Sequence, residues 1–156
     1  MNETVLRNQL LKLLDGGNAH ITFKEAVADY PIEKINLRIS EIPYSSWELA
    51  EHMRIAQSDI LNFIVNPKYA ELRWPDDYWP PKDKNADEND WLRTIQGFIG
   101  DQEYLKEIVN NLKTDLTISL SHAPNYTIFR EILLVADHNS YHLGQLISLK
   151  RILKIY

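Results

Sequence analysis

From Thr127 onward the chain runs to Tyr156 without a proline and with one glycine, Gly144. At the 100° per residue of an α-helix, Glu131, Leu134, Val135, His138, His142, Gln145, Leu149 and Leu153 share one face. A helix of that length with a continuous apolar stripe must bury the stripe against other helices. This segment therefore predicts an all-α fold, with Thr127 opening its last helix.

The rest of the chain supplies the partners. Val5, Leu6, Leu10, Leu13 and Leu14 form a helical stripe over residues 3–15 that stops at Gly16 and Gly17. A short helical piece over 22–29 carries Phe23, Ala26 and Val27, and residues 31–43 read as a connector lying against a core. Ser45 and Glu48 match a capping box for a helix that runs to Val65 and stops before Pro67. Asp87 or Asp90 can cap a third long helix containing Trp91, Ile95, Phe98, Leu105 and Val109. A weak extended piece at 116–120 precedes Pro124. Four main helices with short breaks predict a four-helix bundle in a single domain over residues 1–156.

The long break is the stretch 67–90. Its sequence Arg73-Trp-Pro-Asp-Asp-Tyr-Trp-Pro-Pro81 forbids a regular helix. A loop this long is uncommon in a compact domain unless it is functional or disordered. Trp74, Tyr78 and Trp79 are expected to bury their rings and pack as a lid. That lid either shapes a substrate pocket or simply anchors the loop.

Composition narrows the chemistry. A net charge of −5 argues against a general nucleic-acid binder. The absence of cysteine excludes disulfides, thiolate ligands and a cysteine nucleophile, so any metal must be held by nitrogen and oxygen. No signal peptide and no membrane-spanning apolar run are visible, which predicts a cytoplasmic protein with no membrane partner. The sequon at Asn125 carries no weight in that compartment.

His138 and His142 stand four residues apart, one turn apart on the same buried face. Burying two adjacent imidazoles costs desolvation twice and adds repulsion when both are protonated. A divalent metal removes both problems, because it takes neutral imidazole nitrogen at about 2.0–2.1 Å. His52 shares its helix face with Leu49, Ala56, Asp59, Ile60 and Phe63, and small Ala56 leaves room beside the ring. Packing of the two helices could bring His52 in as a third ligand, leaving positions open for water or substrate. Buried histidines with satisfied N–H groups are the alternative. The donors suit zinc, nickel, iron or copper.

The run Ser46-Trp-Glu-Leu-Ala-Glu-His52, followed late in the chain by His138-Asn-Ser-Tyr-His142-Leu-Gly-Gln145, resembles the DinB/YfiT-like superfamily of metal-dependent enzymes. The resemblance covers nearly the whole chain. Gly16-Gly-Asn-Ala-His20 and the Trp74-Pro-Asp-Asp-Tyr-Trp-Pro80 loop look like one bacterial branch of it. It implies an up-down-down-up four-helix bundle and a divalent metal, zinc or nickel first and iron, manganese or copper after them, on His52, His138 and His142. It also implies homodimers and either hydrolysis or group transfer to a low-molecular-weight thiol. A non-catalytic metal- or ligand-binding accessory protein, induced by stress or damage, is the other reading.

His20 and Glu131 are the candidate catalytic groups. His20 lies in a turn from which it could reach the open side of the site, or else be solvated. Glu131 and Gln145 flank the histidine pair and could bond the ligand N–H groups. Asp59 is expected to be a buried partner for a cation or a tyrosine, and His122 a solvated loop residue. Ala136, Ser140 and Gly144 form a small-residue stripe, suited either to packing within the bundle or to a dimer interface.

Overall fold

The computed structural model describes residues 2–155, so the terminal Tyr156 of the expected last helix lies outside the described residues. The chain is mostly helical. Helix α1 spans Glu3–Asp15, α2 Phe23–Val27, α3 Ser46–Val65, α4 Glu88–Asn110 and α5 Ile128–Ile152. Two strands, β1 (Ser119–Leu120) and β2 (Ala123–Thr127), pair antiparallel before α5. Among the described residues, no helix is long and apolar enough to cross a membrane.

Local chemistry sets the boundaries. Helix α1 ends where Gly16 takes φ 72°, a left-handed conformation that costs glycine no Cβ clash. Reciprocal capping boxes open α2 (Thr22 with Glu25), α3 (Ser45 with Glu48) and α4 (Asp87 with Asp90), and the Thr127 hydroxyl caps α5. The connector does lie on the core. Ile35 is fully buried and its carbonyl accepts the Trp47 N–H at 2.9 Å. The expected extended piece at 116–120 narrows to two residues, and its partner strand contains Pro124 and Asn125, which disfavour a strand.

The four long helices pack on one another, α3 against α4 and α5, and α1 against α4 and α5. Their interior divides into two apolar clusters. One gathers Trp47, Leu49, Ala50 and Met53 of α3 with Trp91 and Phe98 of α4 and Leu143, Leu146 and Leu149 of α5. The other gathers Leu61 and Ile64 of α3 with Leu10, Leu14, Leu105, Val109, Ile132 and Val135. Between them lies a polar layer. The buried Gln57 amide donates to the Phe98 carbonyl at 2.7 Å and accepts from Asn139 Nδ2 at 2.9 Å. The histidines belong to this layer.

The stripe of Ala136 and Ser140 is used within the chain. It borders a small cavity walled by Leu13 and Leu14 of α1 and by His20, so its small side chains admit α1 and the 16–22 turn. Gly144 is exposed.

Candidate metal centre

Helix α3 carries His52 and α5 carries His138 and His142, and the packing of the two helices brings the three rings together. His52 Nε2 lies 3.1 Å from His142 Nε2 and 3.2 Å from His138 Nε2. One nitrogen from each ring falls within 4.8 Å of the other two, and among the described residues these three form a group that could hold a metal ion. Nitrogens each about 2.0–2.1 Å from a common ion stand about 2.9–3.4 Å apart at octahedral or tetrahedral angles. Both separations from His52 Nε2 lie within that interval, so they fit nitrogens sharing one divalent ion.

Outer partners orient two of the rings. His52 Nδ1 donates to the Tyr78 carbonyl at 2.8 Å, which leaves the Nε2 lone pair directed at its two neighbours. His142 Nδ1 donates to Gln145 Oε1 at 2.7 Å, the role expected of Gln145. Beside His138, the Asn139 Oδ1 is buried and has no hydrogen-bond partner among the described residues. The Trp79 indole lies flat on His52, with ring centres 4.1 Å apart and planes 4° from parallel. Tyr44 stacks on the same indole.

This environment disfavours the protonated form of all three imidazoles. Burial holds the His138 ring down to about 4, with repulsion from His142 and His52 adding to it and the Asn139 side chain opposing. Burial also lowers His52, with His142 adding to the effect and the Tyr78 carbonyl opposing. His142 is lowered by burial against its bond to Gln145. Neutral nitrogen is the form a metal takes.

The rings face a chamber of about 790 Å3. Ala56, Ile60 and Leu134 supply aliphatic wall, and Phe63, Tyr69, Tyr78, Trp79 and Tyr126 aromatic wall. Part of the expected lid is real: Tyr78 and Trp79 close on His52. Trp74 departs from expectation, because it is 72% exposed at the rim and touches Tyr78 rather than the core.

Glu131 also lines the chamber. It is 2% exposed and pairs with Arg130 Nη1 at 2.8 Å, while the His52 and His142 Nδ1–H groups are bonded elsewhere. His20 is not brought to the three histidines. Its Nε2 lies 3.1 Å from Ser140 Oγ, about 160° around α5 from either histidine at 100° per residue. Asp59 accepts hydrogen bonds from Tyr69 and Tyr78, the expected tyrosine pairing. His122 is not free in solvent: it is half-buried, with Nε2 2.9 Å from the Phe63 carbonyl and its ring edge-on to Phe63. Sequence reasoning missed Tyr141, which lines the chamber with its ring 4.9 Å from His142. Its place between the two histidines of one helical turn was the available signal.

No family model, no curated protein and no solved structure matches the chain.

Proposed function

We propose that the protein is a metal-dependent enzyme of the DinB/YfiT-like kind, a hydrolase or a transferase using a small thiol. The observation that carries this reading is the convergence of three imidazole nitrogens, from two helices, at the wall of an open chamber. His52, His138 and His142 would hold a divalent ion, zinc or nickel first and iron, manganese or copper after them, which would supply the Lewis acidity to acidify a water or thiol and polarise a leaving group. The thiol arrives as a co-substrate, since the chain has no cysteine. The apolar and aromatic walls hold the substrate body and exclude water. Glu131 is the candidate catalytic carboxylate that borders the chamber; His20, bonded on the far side of α5, stands outside it.

The fold that accompanies this reading is the up-down-down-up bundle. Three sets of contacts support it. Trp47 bonds Thr94 and Gln57 bonds Phe98, joining like ends of α3 and α4. Arg7 bonds the Val109 carbonyl and Lys106 pairs with Asp15, joining opposite ends of α1 and α4. His52 meets His142 while Gln57 meets Asn139, so α3 and α5 run oppositely. A homodimer in the cytoplasm completes the reading, and the exposed face of Tyr141, Gly144, Ser148 and Ile152 on α5 supports it.

Elemental mass spectrometry of untagged protein should find about one equivalent of metal, lost in His52→Ala, His138→Ala and His142→Ala. Metal retained by all three variants would remove the site. Metal-dependent turnover in a screen of thiol-transfer, ester and amide substrates separates the enzyme from a metal-binding accessory protein, for which metal would bind without turnover.

A further inference from the structure

The loop over 66–87 has little regular structure beyond one turn of 3-10 helix at Asp76–Tyr78, yet it delivers the carbonyl that orients His52. Beside the stacking of Trp79 on His52 and of Tyr69 edge-on to Phe63, its side-chain hydrogen bonds to α3 converge on one carboxylate. Tyr78 Oη donates to Asp59 Oδ2 at 2.6 Å, and Tyr69 Oη donates to Oδ1 at 3.0 Å and to Oδ2 at 3.2 Å. Asp59 stands seven residues after His52, roughly 10 Å along the helix axis, too far to reach the same ion. The Arg73–Asp77 pair that also braces the loop is a link within the loop and leaves it free to move relative to the helix.

We propose that Asp59 is a positioning residue for the metal centre, acting on His52 through Tyr78. Tyr78 is held at both ends: its hydroxyl is tied to Asp59, and its carbonyl accepts the His52 N–H. The neighbouring Trp79 is thereby laid on the imidazole face. Tying the hydroxyl sets where the carbonyl stands. The carbonyl fixes the His52 tautomer and ring angle, and with them the direction of Nε2. Tyr69 pins the start of the loop to the same carboxylate without touching the histidine. A carboxylate suits this task because it accepts from two hydroxyls at once, whereas an amide must turn its NH2 towards one of them.

The inference rests on the metal reading above. It is tested in the full chain by zinc affinity from chelator competition and by the nitrogen-15 signature of the His52 ring in metal-free protein. Circular dichroism confirms that each variant is folded at the temperature used. Asp59→Asn and Tyr78→Phe should each weaken zinc binding by about 10–100-fold, the usual cost of an outer partner. The double variant should be no weaker than the worse single one, because both act through one hydrogen bond. Tyr69→Phe should change affinity less. In metal-free protein, the two single variants should lose the protonated Nδ1 signal in favour of mixed tautomers. Unchanged affinity and an unchanged His52 tautomer in Asp59→Asn would overturn the proposal, as would strictly additive losses. Wild-type protein that binds no zinc would sink the metal reading instead, and the tautomer measurement would then decide the role of Asp59 by itself.

Discussion

Replacing His138 by leucine should make the metal-free protein less sensitive to acid while abolishing metal binding. In the folded state the His138 ring is held down to about 4, against 6.5 for the unperturbed side chain, chiefly by burial and then by the two neighbouring imidazoles. As pH falls below 6.5 the unfolded chain takes up a proton that the folded chain refuses until about 4. Stability contributed above 6.5 is therefore lost as pH falls through that window. Linkage through this one ring removes about 2 kcal/mol between pH 8 and pH 5, and about 3 kcal/mol by pH 4. His52 and His142 shift in the same direction and leave a residual slope in the variant.

Urea unfolding in the presence of a chelator, repeated from pH 8 to pH 5, measures the difference at constant m-value. Wild type should lose about 2 kcal/mol more than His138→Leu across that range. Zinc at about a hundredfold above its dissociation constant should then stabilise wild type by about 2.7 kcal/mol and leave the variant unmoved. Stability curves that run parallel from pH 8 to pH 5 would refute the claim that this ring is buried neutral beside two others. The leucine is a reasonable occupant, because Leu134, one turn earlier, already lines the same chamber.

Gln145→Leu should weaken zinc binding about 10–100-fold with little change in melting temperature, because it removes the acceptor of the His142 Nδ1 proton. His20→Ala should leave zinc affinity within about twofold, since its ring bonds Ser140 on the far side of α5; a tenfold drop in a chelator competition would show that the 16–22 turn reaches the site. Arg7→Leu should lower stability by about 3 kcal/mol in thermal or urea unfolding, because the buried guanidinium satisfies the carbonyls of Val109, Asn111 and Thr114 where α4 ends. Metal content should be unaffected by that change.

What could be read from the residues follows from how local the physics is. The shared face of His138 and His142 comes from helical geometry within one segment, and the capping box at Ser45 is a contact three residues long; both appear as the pattern predicts. Of the two expected caps for α4 it is Asp87 that serves, with Asp90 completing a box the pattern had not predicted. Strand β2 was hidden because Pro124 and Asn125 argue against it, and only pairing with Ser119–Leu120 recruits them. The arrival of His52 at the other two rings is a tertiary event that the residues allow without dictating. The loop is the hardest case. Trp74 and Trp79 sit in similar Trp-Pro surroundings, and nothing within the loop says which indole is exposed and which is laid on His52. The decision lies on α3, which presents two unmet needs on one face: an imidazole with an N–H to place, and a carboxylate two turns later that must find donors. Tyr78 meets both, its carbonyl taking the N–H and its hydroxyl serving the carboxylate. The atom that orients His52 is thus a backbone oxygen, which no side-chain pattern can advertise. Asp59 is its legible trace, a charged residue on an apolar helix face whose partners had to come from the loop.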